Sequence, residues 1–311
     1  MGSAWSEVFP PKPKWLPADM PDMTGKVVIV TGGNTGIGKV TCKYLLLKNC
    51  TVYLFCRSAT KAQEAIAELK ATTGKEAHFI ACDLSDLPSI KACANEFISK
   101  EQRLDVLFAN AGVMTVPIEQ VTKQGYDMQF GTNVLGHGYL TLLLLPLLQS
   151  TAKAHGSARV VTTSSAGHTQ APKGGFDYAT LKDGPVRREK YGSWTMYFQS
   201  KWGNVVFAKE LQRRYGNEGI VSIVVHPGLI RTELGRYMDG LLPWMFSKLA
   251  YPADPLGAVT QLWGGTAPET LSLGGQYLVA FARLGKARKD TESPEAAKAL
   301  WEWIEEQVKD V

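Results

Sequence analysis

The sequence predicts an α/β fold, a single domain built on one doubly wound parallel sheet with helices on both faces. Three observations predict it. Short apolar runs alternate with longer stretches of helical period along most of the chain. Most of the short runs are continuously apolar rather than alternating, as strands buried on both faces should be. A glycine-rich turn follows the first run and opens the first helical stretch, which is how a βα series begins.

Each element follows from its local pattern. Residues 1–23 are rich in Pro and Trp and carry no period, so they read as an extended arm laid on the surface by Trp5, Phe9 and Trp15. The domain proper is 24–311. Strands are expected at 27–31, 52–55, 78–81, 106–109, 160–163 and 220–225, with a shorter one at 277–280. Helices are expected at 36–48, at 60–72 with Gly74 as the stop, and from just after Ser85 to 100. Two longer ones cover 126–148 and 194–215. A last helix, 294–308, places Leu300, Trp301, Ile304 and Val308 on one face and reads as packed core.

Composition bounds the function. The chain has 311 residues, 45% hydrophobic and 20% charged, which excludes wholesale disorder. A net charge of +5 needs no nucleic acid and suits a phosphate-bearing small ligand. Cys42, Cys50, Cys56, Cys82 and Cys93 are odd in number, form no CxxC and lie in apolar surroundings. They read as reduced core residues, not as a disulfide frame, and no metal site is expected. The aliphatic run 142–148 is interrupted by Pro146 and falls short of the ~20 residues of a membrane span. The N-terminal stretch has no apolar core of the signal-peptide kind, so a soluble cytoplasmic protein is expected.

The first strand runs straight into Gly32-Gly-Asn34-Thr35-Gly36-Ile37-Gly38. Strand, glycine turn and helix N-terminus in that order aim backbone N–H groups at a pyrophosphate. Gly32 permits the turn, Gly36 close approach of the phosphates, and Gly38 tight packing of the helix. A Rossmann-type dinucleotide site is the reading this supports.

The spacing TGxxxGIG resembles that of the short-chain dehydrogenase/reductase superfamily, and the remaining motifs fall in that family's order. Asp83-Leu84 follow the third strand. Ala109-Asn110-Ala111-Gly112 end the fourth. Asn133 lies in the next helix, and Ser165 follows the fifth strand in VVTTSS. Tyr197 and Lys201 form YxxxK, and Pro227-Gly228 with Thr232 follow the sixth strand. The segments CRS at 56–58, ANAGVM at 109–114, NVLGH at 133–137 and HPG at 226–228 are similar to the retinol-dehydrogenase-like and protochlorophyllide-reductase-like branch. The resemblance weakens over 166–193 and beyond 235.

The resemblance implies a catalytic set of Asn133, Ser165, Tyr197 and Lys201. Tyr197 exchanges the proton, and free tyrosine, with a pKa near 10, does so poorly at neutral pH. Lys201 lies four residues on, on the same helical face, where its charge should pull the tyrosine pKa down. Ser165 fixes the substrate oxygen, with Ser164 as the alternative, and Asn133 supports a water chain to the lysine. Cofactor contacts are expected from Gly32, Asn34, Thr35, Gly36, Ile37, Gly38, Asp83, Leu84, Asn110, Ala111, Gly112, Tyr197, Lys201, Pro227, Gly228 and Thr232. After the second strand stand Cys56, Arg57 and Ser58, where an NAD site would carry an acid. An arginine there can pair with a 2′-phosphate, so NADP(H) is preferred over NAD(H).

These features predict an NADP(H)-dependent oxidoreductase acting on the carbonyl or hydroxyl group of a small hydrophobic molecule. The resemblance implies a lid over the substrate at 234–251, and the large apolar side chains there favour such a substrate. Arg187, Arg188 and Lys190 read as a solvated basic patch, His168 as a solvated loop histidine with the substrate entrance as its alternative place, and His226 as shaping the strand end. The alternative, a non-catalytic NADPH-binding sensor, has no need of the intact Asn, Ser, Tyr and Lys set. A monomer and a homo-oligomer both fit the sequence.

Overall fold

Val27–Thr31 (β1) is an unbroken apolar run, and all five residues are buried, because sequence neighbours serve opposite faces of the sheet. Ile29 joins one core cluster while Val28 and Val30 join the other. The same alternation recurs in Val106–Ala109 (β4), where Leu107 faces the first cluster and Val106 and Phe108 the second. The computed structural model describes Glu7 and residues 9–238 and 248–311.

The other strands are Thr51–Cys56 (β2), His78–Ala81 (β3), Ala158–Thr163 (β5), Ile220–Val225 (β6), Tyr277–Val279 (β7) and Arg283–Leu284 (β8). Their order in the sheet is β3-β2-β1-β4-β5-β6-β7-β8, parallel throughout except for β7 and β8. The order reverses between β1 and β4, which opens a crevice at the carboxyl ends of those strands. β3 departs from the expectation of strands buried on both faces. It is an edge strand, and only Ile80 in it is buried.

Helices Gly36–Leu47 (α1), Ala59–Thr73 (α2), Leu87–Lys100 (α3), Met128–His155 (α4) and Ser193–Tyr215 (α6) lie close to where periodicity placed them. Gly74 ends α2 in the left-handed region at φ 72. α4 runs through Pro146 to His155, and its Gly131–Gly136 turn is π-helical. It is long and apolar enough to cross a membrane by length and composition, yet 78% of its most apolar window is buried inside the fold. Pro294–Val308 (α8) packs on α4 and α6, stacking Trp301 on Phe207 at 5.4 Å.

Ala258–Thr266 (α7) was not expected. Its Gly264-Gly265 pair lowers helix propensity but serves packing: a Cβ on Gly265 would stand 2.3 Å from Phe108 Cζ. β8, two residues long and antiparallel, was not expected either.

In the N-terminal arm Trp5 lies outside the described residues, Phe9 is half exposed, and Trp15 packs against both the second core cluster and the small cluster of Val259, Ala280 and Phe281. The arm is not wholly extended. Pro17–Asp19 forms a tight turn, and Met20 and Met23 are buried beyond it.

The basic patch expected at 187–190 is split. In the short helix Pro185–Lys190 (α5), Arg188 and Lys190 make surface pairs with Asp183 and Asp177. Arg187 is wholly buried. It donates to Asp127 Oδ2 from Nη2 at 3.1 Å and to the Gln120 carbonyl at 2.9 Å. Asp127 is also the N-cap of α4, accepting from Gln129 N and Phe130 N, so one buried carboxylate ties the 166–192 connection to the start of α4.

Candidate active site

The crevice between β1 and β4 opens into a cleft of about 450 Å³. At its phosphate end, Gly32 turns the chain at φ +66, and its N–H donates to the Phe55 carbonyl at 2.8 Å. α1 begins four residues later with no side-chain cap on its first N–H groups. A Cβ on Gly38 would lie 2.3 Å from the Gly32 carbonyl oxygen, so only glycine lets the helix return this close to the turn. Asn34, Thr35, Gly36 and Ile37 line the same end. Turn, orphan amides and empty volume together fit a dinucleotide pyrophosphate.

Beyond β2, Arg57, Ser58 and Lys61 border the cleft. Ser58 has a second task, because its Oγ caps α2 by accepting from Lys61 N at 3.3 Å. Asp83 and Leu84 follow β3 into the cleft, and Asp83 Oδ1 is held by Ser85 through both its N–H and its hydroxyl.

The Asn110-Ala111-Gly112 turn is bolted to β1. Thr31 Oγ1 accepts from Asn110 N and Ala111 N, each at 2.9 Å, and Asn110 Nδ2 donates to the Thr31 carbonyl at 2.9 Å. Asn110 therefore lines the cleft but spends its amide N–H on Thr31 and acts by positioning the turn. Thr31 and its partner His137, 2.9 Å from the hydroxyl, were not among the expected site residues. His137 also reaches the Asn133 carbonyl at 3.1 Å, and burial pushes its pKa down to about 4, so it is neutral.

The four residues of the expected catalytic set converge. Asn133 is fully buried in the π-helical turn. It accepts from Val113 N at 2.9 Å and donates to the Val113 carbonyl and to Ser200 Oγ. Its side-chain amide is thus taken up within the protein rather than turned to a water chain. The two serines separate cleanly. Ser164 Oγ donates to the Lys201 carbonyl at 2.8 Å, whereas Ser165 is the serine whose side chain acts on the Tyr197 phenol. Lys201 Nζ donates to the Thr163 carbonyl at 3.0 Å, which Asn204 also engages, and stands 5.7 Å from the Tyr197 ring centroid. A Cβ on Gly112 would lie 3.2 Å from Asn133 Oδ1 and 3.5 Å from Lys201 Nζ, so the turn closes directly over both.

The electrostatics differ from the expectation. Burial pushes Tyr197 up to about 12, and only the neighbouring Ser165 side chain opposes it. The same burial brings Lys201 down to about 8. Desolvation of both groups outweighs the pull of the lysine on the phenol.

Pro227, Gly228 and Thr232 form the far wall, with Thr232 Cγ2 3.3 Å from a Cβ placed on Gly36. His226 is buried and held down to about 3 by desolvation and then by His168, and its Nδ1 faces Gly228 N at 3.4 Å, shaping the strand end as expected. His168 is not solvated. It is 1% exposed and lies behind Ser165. Of the expected lid, Leu234, Arg236 and Tyr237 border the cleft, while 239–247 lie outside the described residues. Tyr237 also borders a second cavity of about 480 Å³, with Pro117, Ile118, Tyr191 and Trp194. Thr115, on its rim, holds φ 50, a strained conformation for a β-branched residue.

The family model for short chain dehydrogenases matches residues 26–187. A short-chain dehydrogenase/reductase of Armillaria gallica is 53% identical, with both chains covered completely. The chain belongs to the short-chain dehydrogenase/reductase family. Its likeness to the retinol-dehydrogenase branch is borne out by mouse retinol dehydrogenase 11, 35% identical over 90% of this chain and 85% of that one. Among solved structures, an uncharacterized protein of Mycobacterium paratuberculosis superposes with a TM-score of 0.74 at 30% identity, covering 95% of this chain and 97% of that one. The glycine turn and the Asn110 turn lie inside the matched family region, as does Ser165. Tyr197 and Lys201 follow just beyond it.

Proposed function

We propose that this oxidoreductase is an NADP(H)-dependent carbonyl reductase or alcohol dehydrogenase for a small hydrophobic molecule, with Ser165, Tyr197 and Lys201 as its working residues and Asn133 holding the Gly112–Val113 turn over them. The observation that carries the reading is the meeting of Ser165, Tyr197 and Lys201, with Lys201 Nζ 5.7 Å from the centre of the Tyr197 ring, at the floor of a cleft headed by the glycine turn.

When bound, the nicotinamide dinucleotide supplies or takes up the hydride. The amides of 32–38 would hold its pyrophosphate, Asp83 and Leu84 its adenine, and Lys201 its nicotinamide ribose, with Gly112, Pro227 and Thr232 around the ring. Arg57 would pair with the 2′-phosphate through parallel charge-assisted hydrogen bonds, with Ser58 and Lys61 beside it, and no carboxylate stands there to repel one. Ser165 holds the substrate oxygen against the Tyr197 hydroxyl. At neutral pH Tyr197 is the protonated phenol, the form that donates to an alkoxide as a carbonyl is reduced. Lys201, close to half-protonated near pH 8, is poised to return that proton. Burial excludes bulk water from the exchange. Tyr237, Tyr191 and Trp194 offer a large apolar side chain room beyond the reacting group.

The test is a panel of aldehydes and ketones with NADPH and with NADH. The reading expects turnover of apolar carbonyls and a preference for NADPH. Tight NADPH binding with no turnover across the panel and the corresponding alcohols would favour the sensor instead.

A further inference from the structure

His168 is a buried histidine that the chemistry above does not use. Its Nε2 faces the backbone N–H of Arg288 at 3.0 Å, and its Nδ1 faces the carbonyl of Ser165 at 2.7 Å. These two partners can each play only one part, and the Tyr277 hydroxyl, 3.4 Å from Nδ1, can accept a share of the same proton. A backbone N–H must donate, so Nε2 accepts; a carbonyl must accept, so Nδ1 carries the proton. The ring is a neutral connector of fixed polarity that reaches a residue 120 positions further along the chain. Burial holds its pKa below the ordinary value, with Arg288 and Lys209 acting in the same sense.

The connector ends on Ser165. The Ser165 carbonyl takes both the Nδ1–H and the backbone N–H of His168, the latter at 3.0 Å, and Ser165 Oγ takes Gly167 N at 3.1 Å. Gly167 lets this turn lie against Phe198 and Tyr197, since a Cβ there would stand 3.0 Å from Phe198 Cδ1 and 3.4 Å from Tyr197 Cε1. The other end is anchored as firmly. The Arg288 guanidinium donates to the Pro172 carbonyl at 2.9 Å, to the Ala171 carbonyl, and to both oxygens of Asp290. Asp290 in turn accepts from Trp202 Nε1 at 3.0 Å, one residue after Lys201 on α6. A closed ring of contacts therefore runs from Tyr197 through α6, Trp202, Asp290, Arg288, His168 and Ser165 back to Tyr197.

We propose that His168 is a positioning residue that sets the Ser165 hydroxyl against Tyr197 through its Nδ1–H bond to the Ser165 carbonyl, with the Arg288 N–H fixing the ring tautomer that makes this bond. The proposal rests on the reading of Ser165 as a working residue. It assigns a role in the reaction to a segment outside the matched family region.

Two substitutions divide the ring's two tasks. In His168→Asn the side-chain amide occupies the Nδ1 position and can still donate to Ser165, while the acceptor for Arg288 is lost. In His168→Gln the amide oxygen reaches the Nε2 position and can still accept from Arg288, while the donor to Ser165 is lost. With NADPH and 4-nitrobenzaldehyde as the probe, His168→Gln should lower kcat by about 10- to 100-fold, as small misplacements of reacting groups do. His168→Asn should stay within about threefold of wild type. NADPH affinity, read by fluorescence, should be unchanged in both. On a Ser165→Ala background His168→Gln should add little, since it acts through that hydroxyl. Equal losses in the two variants, a larger loss in His168→Asn, or full additivity with Ser165→Ala would overturn the proposal. A Ser165→Ala enzyme as fast as wild type would instead sink the reading of Ser165 beneath it. Should neither variant fold, nitrogen-15 histidine NMR of the wild-type protein decides. The proposal requires a neutral Nδ1–H ring with a pKa below the ordinary value, and an Nε2–H ring or ordinary titration contradicts it.

Discussion

Gly38→Ala should separate cofactor binding from folding. The added Cβ would lie 2.3 Å from the Gly32 carbonyl oxygen and 2.7 Å from Asn110 Nδ2. Carbon–oxygen contacts rarely close below about 3.3 Å, so the start of α1 must retreat from the turn by about 1 Å. The displaced groups are the α1 amides proposed to hold the pyrophosphate and the Asn110 side chain that joins β4 to Thr31. Overpacking of this kind costs about 1–3 kcal/mol. If that strain is concentrated in the bound geometry, NADPH affinity should fall by about 5- to 150-fold. Titration of NADPH fluorescence, run beside a thermal melt, reads both effects. A weakened Kd with a melting temperature within a few degrees of wild type is the expected result. An unchanged Kd in a folded Gly38→Ala protein would refute the assignment of this turn as the pyrophosphate cradle.

Three other perturbations follow from the geometry. Arg57→Glu puts a carboxylate where the 2′-phosphate should sit, and losing a charge-assisted hydrogen bond of about 1.5–3 kcal/mol should shift the NADPH-to-NADH preference at least 10-fold toward NADH; an unchanged ratio of kcat/KM values contradicts the NADP reading. Arg187→Ala strands the buried Asp127 carboxylate and should destabilise the protein by about 3–5 kcal/mol, which a denaturant melt would register and a wild-type midpoint would refute. In the cofactor-free protein, burial keeps the Tyr197 phenol protonated up to about 12, so tyrosinate absorbance of wild type minus Tyr197→Phe should show no Tyr197 step at neutral or mildly alkaline pH; a step near pH 8 would mean that Lys201 governs the phenol after all.

Much of the fold was legible because it is written in local pattern. β1, β3, β4 and β6 end where their apolar runs end, and Gly74 stops α2 as a left-handed cap should. α7 was hidden because Gly264 and Gly265, which its packing on Leu278 and Phe108 requires, break the helical signal. β8 is too short to carry a period. At the site, the motif order located Ser165, Tyr197 and Lys201, and the structure turns Ser165 rather than Ser164 toward the phenol. What stayed out of reach was long-range pairing. Arg187 looks solvated until Asp127, 60 residues away, is brought against it. His168 looks like a loop histidine until Arg288 arrives behind it. The Tyr197 shift was misjudged because a lysine four residues on is visible in sequence, whereas the depth at which both groups are buried is not.

The central claim is that Tyr197 delivers the proton in a hydride-transfer reaction at this cleft. Tyr197→Phe removes only the hydroxyl and leaves the ring that packs beside Lys201 and Phe198. Its NADPH affinity and its reduction rate, measured on the aldehyde that wild type turns over fastest, test the claim most directly. The account predicts NADPH binding within about twofold of wild type and turnover reduced by at least about 100-fold, as for loss of a general acid. A folded Tyr197→Phe protein that keeps a substantial part of the wild-type rate would mean that another group moves the proton and that this site does not work as described.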